Sequence, residues 1–194
     1  HTDIPVVSTM MGLGAMPTNS PLFYGMLGMH GCKAANTAVN SCDTLILMGA
    51  RVGDRAIAAM KQRDDMTVIH IDIDPAEIGK NLDVDIPIVG DLTLVLGQLL
   101  EAVKGGADNS GWKKQLDGFR EDKAAPAGYV NPKEFIHALD RQLPDDAVVV
   151  ADVGQNQIWT ARNITINGGR FLTSGGMGTM GYSLPAAIGA KLAD

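Results

Sequence analysis

Residues 174–190 read Ser-Gly-Gly-Met-Gly-Thr-Met-Gly-Tyr-Ser-Leu-Pro-Ala-Ala-Ile-Gly-Ala, a glycine loop running into an apolar, helix-like stretch from Tyr182 to Ala193. Gly175, Gly176, Gly178 and Gly181, with Gly169 upstream, let backbone approach a ligand closely and take up positive φ. Such a loop entering a helix N-terminus is an anion site, because free N–H groups and the helix dipole point the same way. The same residues also fit a tight turn ahead of a buried helix, and glycine content alone leaves both readings open.

A second constellation lies in the first half. The apolar run Thr44–Met48 ends in Gly49-Ala50-Arg51-Val52-Gly53-Asp54-Arg55, and the run Thr67–Asp72 ends in Asp72-Ile73-Asp74. Glycine at one strand-to-helix turn and an acid at the end of the next strand, about 20 residues on, is the logic of a Rossmann nucleotide site. The full Gly-x-Gly-x-x-Gly pattern is missing, so a sheet edge with structural glycines remains the alternative. Arg51 and Arg55 fall at the carboxyl edge of this sheet. There most arginines are solvated or pair with an acid, and one held at the edge can instead grip a carboxylate or phosphate in bidentate fashion.

His30, in Gly28-Met29-His30-Gly31, reads as a capped or core residue more readily than as a catalyst. His70 falls in mid-strand and reads as buried. Met10, Met11, Met16, Met26 and Met29 read as core filler, although their density near His30 also suits a flat apolar ring. Asp74 and Asp91 read first as helix caps.

The elements that must position these groups alternate short apolar runs with amphipathic stretches, which predicts an α/β fold with a mostly parallel sheet. Strands are expected at Pro5–Ser8, Thr44–Met48, Thr67–Asp72, Ile86–Val89, Ala147–Ala151 and Arg170–Thr173. Helices are expected at Lys33–Ser41, Asp54–Gln62, Pro75–Lys80 and Leu92–Lys104, the last with Leu92, Val95, Leu96, Leu99, Leu100 and Val103 at helical spacing. Asp74-Pro75-Ala76-Glu77 and Asn131-Pro132-Lys133-Glu134 share one helix-start grammar. A short helix carrying Trp112, Leu116 and Phe119 on one face precedes a linker-like stretch. These signals divide the chain into residues 1–120, a linker at 121–131 and residues 132–194.

Composition narrows the class. The 194 residues are 45% hydrophobic and carry a net charge of −6, with 23 glycines. There is no basic footprint for nucleic acid and no apolar run near the ~20 residues that span a bilayer. No secretory signal pattern is visible. Two cysteines without metal-ligand spacing fit reduced thiols in a reducing compartment. Both ends read as cut, since His1 is no initiator and Lys191-Leu192-Ala193-Asp194 stops within a helical run.

Taken in order, several segments resemble one family: the catalytic (large) subunit of acetohydroxyacid synthase, or acetolactate synthase, a thiamine-diphosphate enzyme. They are Thr9-Met10-Met11-Gly12-Leu13-Gly14, Leu27-Gly28-Met29-His30-Gly31, Gly49 to Arg55, Val68 to Ile78, Val89-Gly90-Asp91, Val153-Gly154-Gln155-Asn156-Gln157-Ile158-Trp159 and the terminal glycine loop. Only the stretch from Gly105 to Gly128 is anonymous.

The resemblance implies a Rossmann-like middle domain of FAD type, its beginning missing, followed by the truncated start of a diphosphate-binding α/β domain. It places FAD contacts at Gly28, Met29, His30 and Gly31, at Gly49, Ala50, Arg51, Val52 and Gly53, at Asp72 and Ile73, and at Asp91 and Leu92. Arg55 matches the arginine that holds the carboxylate of the second 2-ketoacid. Val153, Gly154, Gln155 and Asn156 match diphosphate contacts, and Gly178 and Met180 the aminopyrimidine site, where the Met side chain bends the thiamine. Two positions depart from the family pattern. Val52-Gly53-Asp54-Arg55 stands where the family reads Phe-Asp-Asp-Arg, and Asn156 stands where the family has His.

The implied reaction joins pyruvate to pyruvate or 2-ketobutyrate with loss of CO2, in branched-chain amino-acid biosynthesis. Thiamine diphosphate, Mg2+ and FAD are the implied cofactors. The Mg2+ motif is expected beyond Asp194 and the activating glutamate in a first domain, so the 194 residues alone are expected to be inactive. A homodimer or homotetramer is implied, with a regulatory small subunit as a further partner, in the cytoplasm (or the plastid of a plant). The rival readings are pyruvate oxidase, glyoxylate carboligase, the FAD-free catabolic acetolactate synthase, and a non-catalytic nucleotide-binding module.

Overall fold

The computed structural model describes residues 2–120 and 128–193. The predicted linker falls partly on 121–127, outside the described residues. All strand pairs are parallel, as the alternating pattern requires. Strand β1 (Val6–Ser8) pairs with β2 (Phe23–Met26), and a 3-10 turn at Met10–Gly12 lies between them in sequence. Helix α1 (Lys33–Ser41) packs on β2 through Ala34, Ala35 and Ala38, whose small side chains permit close approach.

Strands β3 (Thr44–Met48), β4 (Thr67–Asp72) and β5 (Ile86–Val89) form a three-stranded sheet in that order. Leu47 stands opposite His70, and Asp72 opposite Val89. Helix α2 (Asp54–Ile57) follows β3, and α3 (Leu92–Ala102) follows β5. Then come α4 (Ser110–Asp117), α5 (Pro132–Asp140), β6 (Val148–Ala151), α6 (Gln155–Asn163), β7 (Arg170–Thr173) and α7 (Ser183–Ala193). β6 and β7 pair in register from Val148–Arg170 to Ala151–Thr173.

The core joins the two halves of the chain. Leu13, Phe23 and Met26 share one buried cluster with Ile136, Ala151, Ile164 and Phe171. Ile166 N–H donates to Thr18 Oγ1 at 2.8 Å, and Thr18 N–H donates to the Ile166 carbonyl at 3.0 Å. Arg120 stacks 4.0 Å from the Tyr24 ring centroid and donates to the Phe23 and Pro21 carbonyls, which ties α4 to β2.

Several sequence expectations change. The predicted helix Pro75–Lys80 is a turn. Asp74 Oδ1 accepts the Ala76 N–H and the Asp74 carbonyl accepts the Glu77 N–H, but Gly79 at φ 72° ends the turn. The predicted Asp54–Gln62 helix closes at Ile57. β2 and α6 were not expected from patterning. His30 is exposed rather than core, and Met11 and Met29 are more than 60% exposed rather than core filler. Among the described residues, the apolar α7 has no buried residue. No helix among the described residues is long and apolar enough to cross a membrane.

Candidate functional site

A cleft of about 540 Å³ opens at the carboxyl ends of β3, β4 and β5, where ligands bind in open parallel sheets. Gly49, Arg51, Asp72, Ile73, Asp91 and Leu92, six of the residues expected to hold FAD, line it together with Asp74, Glu77 and Gly90. Gly49 adopts φ 59°, and a Cβ there would press to 3.0 Å on Leu92 Cδ1. A Cβ on Gly90 would come within 2.9 Å of Val95 Cγ2. Both glycines therefore let α3 close against the strand ends.

Asp72 is 7% exposed, and its Oδ1 accepts the Asp74 N–H at 3.0 Å. Asp91 caps α3 by accepting from Thr93 N–H and Leu94 N–H, as its capping role predicted. With those donors already taken, the α3 terminus offers little to an anion. The lining carboxylates suit hydroxyl donors such as a ribose diol, and Arg51 supplies the cation for a phosphate. This donor set fits the nucleotide part of a flavin.

Ala50, Val52 and Gly53 form the turn beside this cleft. Val52 is buried at φ 47°, an unfavourable conformation for a β-branched residue. Asn81 holds the turn, its Nδ2 donating to the Arg51 and Val52 carbonyls at 3.2 Å each. Gly28, Met29, His30 and Gly31 do not line the cleft. Their loop is tied instead to α2, because Met29 N–H donates to the Arg55 carbonyl at 2.7 Å. Arg55 itself is exposed.

The second site surrounds the carboxyl end of β6. Gly154 turns at φ 136° into α6 and makes no side-chain cap, which leaves the first N–H groups of α6 facing outward beside exposed Gln155 and Asn156. That arrangement fits a diphosphate. Asn156 Nδ2 donates to the Asp152 carbonyl at 3.1 Å. Gln157 is buried and donates to Thr173 Oγ1, which in turn donates to the Ala151 carbonyl, locking α6 to the β6–β7 pair.

Asp152, which sequence reasoning passed over, organises this region. Its carboxylate accepts from Val153 N–H, Gly181 N–H, Ser183 N–H and Ser183 Oγ. The Ser183 N–H and hydroxyl, followed by the Gly181 and Val153 amides, hold this carboxyl below the usual aspartate range. An acid at the carboxyl end of a strand was the signal used for Asp72, and it applied equally here. Gly178 takes φ 63° in open space, and Met180 is 80% exposed in the loop. Met11 of the 3-10 turn sits where a Cβ on Gly175 would have to go, so this loop touches the first half of the chain.

Comparison with known proteins gives this geometry a family. Residues 1–99 match the thiamine pyrophosphate enzyme central domain, and residues 152–194 match the thiamine pyrophosphate enzyme C-terminal TPP binding domain. The chain is 41% identical over 202 residues to an acetolactate synthase large subunit of Cyanidium caldarium, and 44% identical over 199 residues to one of Lactococcus lactis. A large subunit of Corynebacterium glutamicum is 42% identical over 204 residues. Each alignment covers 98% of this chain but only 32–34% of the relative, so the chain spans about a third of their length. The chain belongs to the thiamine pyrophosphate enzymes, with their central domain at residues 1–99 and their C-terminal TPP binding domain represented at 152–194.

Proposed function

We propose that the whole protein is an acetolactate synthase that condenses pyruvate with pyruvate or 2-ketobutyrate, with loss of CO2. The observation that carries this reading is Arg55. Arg55 is exposed on α2, which follows β3, and its side chain has no hydrogen-bond or ion-pair partner among the described residues. An uncommitted guanidinium takes a carboxylate through two parallel N–H···O bonds. That is what orienting the second 2-ketoacid requires.

When bound, thiamine diphosphate supplies the electron sink for cleavage of the carbon–carbon bond. The chain's own residues bind and orient. Gly154, Gln155 and Asn156 receive diphosphate charge at the start of α6. Gly178 and Met180 hold the aminopyrimidine end, and Asp152 fixes the loop that carries them. Arg51, Asp72 and Ile73 hold FAD. The protein works as a homodimer or homotetramer, in the cytoplasm or a plastid, with a regulatory small subunit as its partner.

The test is acetolactate formation from pyruvate by the full-length protein with thiamine diphosphate and Mg2+, with and without FAD. FAD-dependent product supports the reading and its flavin residues. Product indifferent to FAD points to the catabolic type and leaves those glycines structural. No acetolactate overturns the reading. The isolated 194 residues should form none under any of these conditions.

A further inference from the structure

Helix α2 is a single turn, Asp54–Ile57, and its N-cap Gly53 makes no side-chain hydrogen bond. One turn does not support itself in water. The position of Arg55 is therefore set by what grips α2 from outside: Ile57 packs against the core around β3 and β4, Asn81 holds the preceding turn, and further polar grips come from one face of α1. Asn36 and Asn40 are one helical turn apart on that face. Asn36 exchanges two hydrogen bonds with Gly28, accepting its N–H at 2.9 Å and donating to its carbonyl at 3.0 Å. Asn40 Nδ2 donates to the Asn36 carbonyl at 2.8 Å and to the Ala59 carbonyl at 2.7 Å, while its Oδ1 accepts the Lys61 N–H at 2.7 Å.

These bonds close a loop of contacts around Arg55. Asn36 fixes Gly28, and the next residue, Met29, donates its N–H to the Arg55 carbonyl. Gly28 lies so close that a Cβ on it would come within 2.6 Å of that same carbonyl oxygen. Asn40 fixes the chain just past the C-terminal end of α2. Both the donor and the acceptor of the Asn40 amide are engaged, and none of its bonds goes to a residue lining the cleft at the ends of β3, β4 and β5.

We propose that Asn36 and Asn40 are positioning residues for Arg55, and through it for the carboxylate of the second 2-ketoacid. This rests on the assignment of that carboxylate to Arg55. A bidentate guanidinium contact tolerates little displacement, and an error of about 1 Å in a reacting group costs roughly a hundredfold in rate. Loss of the amide clamp should therefore resemble a milder loss of Arg55.

The experiment uses the full-length holoenzyme and the variants N36A, N40A, R55A and N40A/R55A, with Asn40→Asp as a size-conserving companion. Asp keeps the acceptor for Lys61 N–H and loses both donors. Three quantities are read: apparent KM for 2-ketobutyrate as second substrate, single-turnover CO2 release from pyruvate, and FAD affinity. N36A and N40A are each expected to raise the KM about tenfold while CO2 release stays within about threefold. In the R55A background, N40A should add nothing further to the KM, because both changes act through one group.

Equal loss of both steps, or an additive effect on the KM in the double variant, would show a merely structural role and overturn the inference. If N40A does not fold, Asn40→Asp carries the same two criteria. If R55A itself leaves the KM unchanged, the assignment of Arg55 fails. If R55A raises the KM and the asparagine variants do not, only the positioning inference fails.

Discussion

Ser183 reaches Asp152 twice across 31 positions of sequence: its N–H at 3.0 Å and its hydroxyl at 2.9 Å both donate to Oδ2. Oδ1 meanwhile accepts from Val153 and Gly181. One carboxylate thus joins the end of β6, the glycine loop and the first turn of α7. It also sits where a charge favours the N-terminus of a helix.

The first prediction follows from that carboxylate. Its ordinary pKa is 3.8, and four donors favour the charged form and lower the folded value. Stability from these bonds is fully present above the ordinary value and is lost as pH falls below it through the folded value. Hydrogen exchange of the Gly181 and Ser183 amides, corrected for the intrinsic rate, should show constant protection from pH 7 to about 5 and fall only below about 4. A midpoint near pH 6 would remove Asp152 as the organiser. Asp152→Ala should weaken thiamine diphosphate binding to the full-length protein by tenfold or more, read by calorimetric titration.

Much of this fold was legible because its parallel strands are written as short apolar runs bounded by turn residues. β3, β4, β5 and β7 fall where the runs fall. β2 escaped because Gly25, at φ 102°, interrupts a four-residue strand. Pro75–Lys80 misled because an aspartate accepting nearby N–H groups caps a turn by the same chemistry that caps a helix. The cleft residues at strand ends were readable from spacing. The clamps were not: Asn40 meets Ala59 and Lys61 19 and 21 positions away, and nothing local in the sequence announces those pairs. Asp152 carries the same signal as Asp72, an acid closing an apolar run, and stands directly before the Val153–Asn156 motif.

Removing the Arg55 guanidinium is the second prediction. Hydrogen bonds to a charged group contribute about 1.5–3 kcal/mol. Arg55→Ala should therefore raise the apparent KM for the second 2-ketoacid about a hundredfold, while decarboxylation of the first changes little. Arg55→Lys should recover only part of this, because an ammonium lacks the planar fork. Steady-state kinetics with varied 2-ketobutyrate decides it, and parallel loss of both steps counts against the role.

The two thiols should separate cleanly. Cys42 is 7% exposed, and its thiol donates to the Val39 carbonyl at 3.2 Å beside Met66. Burial, above all, pushes its pKa up from 9.0. Cys32 is only partly buried. Alkylation of the native protein at pH 8 should label Cys32 first and Cys42 only on unfolding. Because the folded pKa of Cys42 is raised, its contribution to stability is complete below pH 9.0 and is lost as pH rises through the folded value. Labelling of both residues at one rate would contradict the buried placement.

Glycines that look alike in the sequence should differ sharply under substitution. Gly28 stands at φ 117° with the Arg55 carbonyl 2.6 Å from any added Cβ. The obstacle is backbone, so it cannot rotate away. Gly28→Ala should cost about 2 kcal/mol or more and displace Arg55 as well. Gly53 has nothing within 4 Å of an added Cβ and adopts φ −67°, ψ 171° at the N-cap of α2. Asp is a favoured cap and suits the positive end of the turn. Gly53→Asp should change stability by no more than about 0.5 kcal/mol. Thermal unfolding of the two variants, read with their flavin affinity, tests both claims. A destabilised Gly53→Asp would mean that α2 sits closer to a neighbouring surface than its open flank indicates.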